Sequence, residues 1–228
     1  MGRVKIVAEI SGNHSGSYEK ACWLLDEAAK AGCDYVKFQY YKPVDMPWTG
    51  QDDHEMYCRL AVEDDWLPGL FDLAKRRRIG LFASVFSAKG AQEILKYDVR
   101  YIKIASPDST KLGQETYAQI IACAPPDVDI IWSHRGRFRS SRGYKTLYCP
   151  LGHPPIITRD DFSDFRTGNY YGFSDHTPGI RAPLAFIDAG AEMIEKHFKL
   201  EGDDACVDAH FSADPLTMGL LCKLAHNR

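Results

Sequence analysis

The feature that most constrains this chain is a rhythm. Short apolar runs of strand length alternate with segments whose apolar residues recur at helical spacing, about eight times over. The last repeat is the clearest. Tyr171 to Phe173 reads as a strand, the apolar-rich stretch from Pro178 to Gly190 as a helix, and Met193 to Lys196 as a second strand. Such a βαβ unit makes its strands parallel and neighbouring. It therefore carries His176 and His197, which follow the two strands, to the same end of the sheet. Paired neutral imidazoles suit a transition metal such as Zn, Mn, Fe or Co, and equally suit two satisfied histidines at strand ends.

The earlier repeats fall in order. Strands are expected at Val4–Ile10, Asp34–Gln39, Gly80–Phe86, Arg100–Ala105, Val128–Trp132 and Thr146–Cys149. Helices are expected at Tyr18–Ala31 with Gly32 as its cap, Glu63–Arg77, Ala88–Lys96, Leu112–Cys123, Asp160–Phe165 and Leu216–Ala225. Tyr40 to Asp53 reads as a long loop. Ser133 to Lys145 shows no helical stripe and carries Arg135, Arg137, Arg139 and Arg142. Eight strands over 228 residues predict an α/β fold, a compact (β/α)8 barrel with the helix after strand five shortened or missing. No linker or low-complexity segment divides the chain, so residues 1–228 are expected to form one domain.

Composition excludes several function classes. A formal net charge of −3 argues against general nucleic-acid binding. The one dense basic cluster, Lys75 to Arg78, ends a predicted helix, where cations complement the dipole on a solvated face. Seven cysteines, an odd count without C-x-x-C, read as small hydrophobes in a reducing compartment. No apolar run is long enough for a membrane span, and Met1 leads almost directly into a strand, so the expected location is the cytoplasm.

Barrel chemistry sits where the strands end, and those positions are polar here: Glu9 and Asn13; Lys37 and Gln39; Ser84; Lys103, Ser106 and Asp108; Ser133, His134 and Arg135; Ser174, Asp175 and His176; Glu195, Lys196 and His197; then Asp208 and His210. Charges inside short apolar strands must face a shared polar cavity or one another. Two lysines and several hydroxyls beside a metal suit a phosphorylated or carboxylated substrate. Buried ion pairs in the barrel mouth are the plainer alternative.

Several motifs resemble those of the sialic acid synthase (N-acetylneuraminate synthase) family. They are Ala8-Glu9-Ile10-Ser11-Gly12-Asn13-His14, Val36-Lys37-Phe38-Gln39, Tyr101-Ile102-Lys103-Ile104-Ala105-Ser106, Gly172-Phe173-Ser174-Asp175-His176-Thr177 and Ile194-Glu195-Lys196-His197-Phe198, with Asp208 near Phe211-Ser212. The resemblance implies a (β/α)8 barrel that condenses phosphoenolpyruvate with an N-acetylmannosamine-type aldose, releasing phosphate. It implies a divalent metal, commonly Mn2+, with Mg2+ or Co2+ as alternatives, held by His176 and His197. It places phosphoenolpyruvate on Lys37, Ser84, Lys103, Ser106 and Ser133, with Gln39, Asp108 and Ser174 as further substrate contacts. Glu9, Asp208 and Lys103 become the catalytic residues, and a homodimer is admitted.

The departures are specific. Pro107-Asp108 stands for the family's Gly-Glu, Ala83-Ser84-Val85-Phe86 for Ser-Thr-Pro-Phe, and Leu151-Gly152-His153-Pro154 for Asn-x-Tyr-Pro. The family's C-terminal antifreeze-like domain has no counterpart within these residues. The expectation is an intact phosphoenolpyruvate and metal half and a sugar half that is rebuilt or lost. Its cover is expected from the Tyr40–Asp53 loop with Trp48, from the segment 136–143, or from a second subunit. A metal-dependent aldolase or isomerase on a phosphorylated or acidic sugar, and a non-catalytic sugar-acid-binding barrel, are the competing readings.

Overall fold

The structure is a computed structural model that describes residues 2–46, 50–106, 112–135 and 144–228. Eight parallel strands close in sequence order, β1 beside β2 and on round to β8 beside β1. They are β1 (Lys5–Glu9), β2 (Tyr35–Tyr40), β3 (Gly80–Val85), β4 (Tyr101–Ile104), β5 (Asp129–His134), β6 (Lys145–Tyr148), β7 (Gly172–Asp175) and β8 (Met193–His197). The described helices are α1 (Tyr18–Ala31), α2 (Gln51–Leu60), α3 (Trp66–Arg77), α4 (Ala88–Ile94), α5 (Gln114–Cys123), α6 (Arg159–Gly168), α7 (Arg181–Asp188) and α8 (Pro215–His226).

The expected boundaries hold to within a few residues, with two differences. The helix expected from Glu63 begins at Trp66, and α2 was not anticipated. Its sequence, QDDHEMYCRL, buries only Leu60 fully, so it lacks the broad apolar stripe that announces a core helix. The connection from β5 to β6 is ten residues, 135–144, short for a crossover between parallel strands. Its residues 136–143, which include Arg137, Arg139 and Arg142, lie outside the described residues, and so do Trp48 and Asp108.

Local chemistry sets the elements. Helix α1 starts at Ser17, whose side chain accepts the Lys20 N–H, and ends at Gly32 with φ 89°, whose N–H bonds the Ala28 carbonyl. The Lys75–Arg78 cluster is a solvated face: Arg76 pairs with Asp72, and Arg77 Nε lies 2.7 Å from Asp26. All seven cysteines are free; Cys33, Cys149, Cys206 and Cys222 are buried.

The outer core fills the space between strands and helices, with Phe173 stacked on Phe186 at 3.9 Å between ring centroids. Inside the barrel the side chains form ranks. Val7, Phe82, Tyr101, Ile131, Leu147 and Met193 make an apolar plug. Below it Lys5 Nζ donates to Tyr101 Oη at 2.9 Å. Above it, two residues further along, five of these six strands turn polar, Cys149 beyond Leu147 being the exception. Alternation with period two dictates that step: Val7 and Glu9, Phe82 and Ser84, Tyr101 and Lys103, Ile131 and Ser133, and Met193 and Glu195 share one face of their strands.

Candidate active site

The polar rank consists of Glu9, Lys37, Ser84, Lys103, Ser133, Ser174 and Glu195, none more than 3% exposed. Register brings them together. Glu9 is opposite Lys37, Ser84 opposite Lys103, and Ser174 opposite Glu195. Lys37 Nζ contacts Glu9 Oε2, donates to Ser84 Oγ at 2.8 Å and lies 3.8 Å from Glu195 Oε2. Lys103 Nζ pairs with Glu195 Oε1, which also accepts from Ser174 Oγ at 3.1 Å. Glu195 thus sits between both ammonium groups, a role beyond what its inward position in the sequence conveys. Two lysines and two carboxylates leave this rank neutral in formal charge.

Burial acts on these charges in opposite ways. It lowers the Lys37 ammonium, while the carboxylate of Glu195 pulls against it and so does the Glu9 contact. Burial would raise Glu195, but Lys103 and Lys37 outweigh it and hold the carboxyl well below its ordinary value. The Ser133 hydroxyl faces the same space and has no hydrogen-bond partner among the described residues.

One rank higher stand the histidines. The rings of His176 and His197 lie 5.0 Å apart, as expected from neighbouring strands. Phe211 packs edge-on against both. Burial, then the neighbouring His197 and His153, depress His176 far below the usual histidine range, so it is neutral at pH 7. Its Nδ1 is buried and has no hydrogen-bond partner among the described residues. Asp208 Oδ2 lies 3.0 Å from His197 Nδ1, out of line for a good hydrogen bond. Burial would raise the Asp208 carboxyl, but His197, then His153 and His210, bring it below its ordinary value.

Other motif residues hold this geometry in place. Asn13 Nδ2 donates to the Phe198 carbonyl and to Ser212 Oγ, both at 2.9 Å, and its Oδ1 accepts the Asp208 N–H at 3.1 Å. Asn13 therefore positions Asp208. Lys196 and Asp175 point away from the cavity and form a fully buried pair at 2.7 Å. Lys196 also donates to the carbonyls of Thr177 at 2.7 Å and Phe211 at 3.2 Å, pinning the loops that carry His176 and Asp208.

The ranks open into one cavity of about 350 Å3, within the range of small-molecule sites. Glu9, Lys37, Gln39, Ser84, Lys103, Ser106, Ser133, Ser174, His176, His197 and Asp208 all line it. Glu195, His153, Cys149 and the α2 residues Met56, Tyr57 and Leu60 line it as well. His153 meets His176 edge-on at 4.5 Å. It was visible in the sequence only as a departure from the family pattern, and nothing in its spacing signalled a place in the site.

A model of the NeuB family matches residues 24–119 and 163–227. The chain belongs to this family. The NeuB-family chain is 28% identical to the pseudaminic acid synthase of Helicobacter pylori, over 92% of its own length and 70% of that protein. It is 25% identical to the N,N'-diacetyllegionaminic acid synthase of Campylobacter jejuni, over 97% of its length and 75% of that protein. A solved structure of N-acetylneuraminic acid synthetase from Leptospira borgpetersenii, in complex with citrate, superposes with TM-score 0.85 at 25% identity, covering 99% of this chain and 84% of that one. The chain spans about two thirds of the length of the curated relatives it matches. No described helix is long and apolar enough to cross a membrane.

Proposed function

We propose that this NeuB-family chain condenses phosphoenolpyruvate with an N-acetylmannosamine-type or related aldose, giving a sialic-acid-like 2-keto-3-deoxy acid and inorganic phosphate. One observation carries the reading: Lys37 and Lys103 face the same cavity as the paired imidazoles of His176 and His197. That cavity combines cationic donors for a phosphate and a carboxylate with ligands for a polarising ion. The relatives named pseudaminic and diacetyllegionaminic acid synthases support the same class.

A divalent metal, Mn2+ first with Mg2+ or Co2+ as alternatives, fits His176 and His197. His176 is neutral, its Nδ1 has no partner among the described residues, and the Asp208 carboxylate is near. Among the described residues no three His, Cys, Asp or Glu side chains converge as a ready metal site, so substrate and water would complete the shell. When bound, the ion polarises the sugar aldehyde.

The chain's own residues do the rest. Lys103 spends one N–H on Glu195, and its remaining donors meet the anion together with Ser84, Ser106 and Ser133. Gln39, Ser174 and, by its place in the sequence, Asp108 complete the substrate contacts. Glu9 fixes Lys37, since its oxygens are engaged by the Ser11 N–H at 2.7 Å and by Lys37 itself. Carbon 3 of the enolpyruvate attacks the aldehyde carbon, whose oxygen takes up a proton to become the new hydroxyl, and water adds to the cationic carbon 2. Asp208, held ionised beside His197, takes the proton of that water. The tetrahedral adduct then expels phosphate, whose charge Lys103 balances.

The test is phosphate release from phosphoenolpyruvate with a panel of aldoses, with Mn2+ and after chelation. Release that requires both an aldose and the metal supports the reading; an aldose-independent signal, or none, refutes it. A location in the cytoplasm and assembly as a homodimer are part of the same proposal, checked by fractionation and by light scattering.

A further inference from the structure

The thiols of this chain differ in what surrounds them. Cys58 lies beside the His54 ring, and Cys123 and Cys206 donate to backbone carbonyls. Cys33 and Cys222 face each other, with 3.8 Å between their sulfurs and 189 residues between them in sequence. Both are buried, Cys33 at 8% exposure and Cys222 at 2%. Cys33 sits in the turn between Gly32, the cap of α1, and the start of β2. Cys222 is on the inner face of α8 with Met218, Leu221 and Ala225. The turn passes close under that helix: a Cβ built at Gly32 would lie 3.8 Å from Cys222 Cβ. The neighbouring residues mark the same seam. His226, one helical turn beyond Cys222, brings Nε2 to 3.1 Å from Asp34 Oδ2, and Asp34 also accepts the Ile6 N–H at 2.8 Å. Helix α8, the start of β2 and β1 therefore meet at one point.

Two sulfurs already in contact need to close to about 2.05 Å to bond. A side-chain rotation at Cys33, which lies in a turn, and a small slide of α8 cover that gap. Hydrogen bonding to Cys222, then burial, hold the Cys33 thiol well above its ordinary value, so the reduced pair is protonated and unreactive until α8 shifts outward. We propose that Cys33 and Cys222 are a redox-responsive staple, which a low-molecular-weight disulfide such as oxidised glutathione converts to a bond locking α8 to the start of β2. One cysteine, as its thiolate, attacks a sulfur of the small disulfide and expels one thiolate. The second cysteine attacks the sulfur of the first and expels the other. The chain gives up two protons and two electrons, and the small disulfide leaves as two thiols. The new bond closes a covalent ring containing β2 through β8, and closing so long a loop restricts the unfolded chain more than a short crosslink does. The pair lies at the N-terminal ends of the strands and the cavity at their C-terminal ends, so the staple alters how long the barrel persists and not what its cavity does.

The test incubates the full, folded chain with oxidised glutathione and then with dithiothreitol. The expected product is an intact chain lighter by two hydrogens, whose non-reducing peptide map joins the Cys33 and Cys222 peptides. Its thermal midpoint should rise by roughly 5–15 °C and fall back with dithiothreitol. Cys58→Ser should respond as the wild type does. Cys33→Ser and Cys222→Ala should each lose both the crosslink and the shift. Alanine already packs on the inner face of α8 at Ala225, so Cys222→Ala decides the matter if Cys33→Ser fails to fold. Each variant is compared with itself, oxidised against reduced, so packing lost in the mutation does not imitate the result. A chain that takes up glutathione at Cys58 alone, that stays reduced at Cys33 and Cys222, or that crosslinks them with no rise in midpoint overturns the staple.

Discussion

Glu195 is the carboxylate on which the charged rank depends, because it pairs with Lys103 and also reaches Lys37. Glu195→Gln leaves two buried ammonium groups with one carboxylate between them. Breaking such a pair costs roughly 3–5 kcal/mol, read as a lower urea midpoint, and phosphate release should drop by two orders of magnitude or more. Unchanged stability would show that Glu195 is dispensable to the rank. The period-two pattern placed Glu195, Lys37 and Lys103 on the inner face. It could not say which carboxylate reaches which ammonium, because that depends on register and stagger around the closed sheet. His14 supplies a pH test away from the chemistry. Burial lowers it to about 4, and its Nδ1 accepts the Gly16 N–H at 3.1 Å. Between its ordinary value of about 6.5 and about 4, the folded chain binds fewer protons than the unfolded one. His14 therefore contributes stability that is complete above about pH 6.5 and is lost as the pH falls through that window, about 3 kcal/mol in all. His14→Asn keeps a short acceptor and should flatten this part of the curve; wild-type and variant curves that run parallel would refute the assignment.

At the scale of elements, β7 and β8 place histidines on one side and an ion pair on the other. Lys196→Met strands Asp175 in the interior and releases the Thr177 and Phe211 carbonyls. The expected cost is again roughly 3–5 kcal/mol. Adding Asp175→Asn should cost less than the two single changes summed, because no buried charge is then left unpaired; strict additivity in a double-mutant cycle would show that the pair is uncoupled. The Ser-Asp-His-Thr and Glu-Lys-His motifs were legible as motifs, yet three of their seven letters, Asp175, Thr177 and Lys196, serve the scaffold. Only the alternation of inward and outward side chains separates Ser174, His176, Glu195 and His197 from Asp175 and Lys196. Helix α2 was illegible for a related reason: its apolar face meets a cavity rather than a core, so the stripe is narrow. With one fully buried residue in ten, its amides should exchange with deuterium orders of magnitude faster than those of α1, which buries Ala21, Leu24, Leu25 and Ala28. Equal protection would mean that α2 is held by more than these contacts.

For the whole molecule, the strand and helix rhythm was enough to foresee a closed barrel, since eight βα repeats with buried parallel strands have few other solutions. The charged rank followed from polar residues at strand ends. The rest of the cavity wall did not, because it is built from connections, α2 and the 149–153 and 207–211 stretches, whose packing no periodicity encodes. The apolar plug beneath the charged rank carries one last consequence. Dissolved ions screen charges across about 10 Å at 0.1 M and about 3 Å at 1 M, but only where water carries them. The plug closes the barrel from below, and no side chain of the charged rank is more than 3% exposed to the cavity above it. Molar salt should therefore weaken solvated pairs such as Arg77–Asp26 while leaving Lys37, Lys103 and Glu195 held as before. Brine should slow the arrival of an anionic substrate without loosening the grip that receives it.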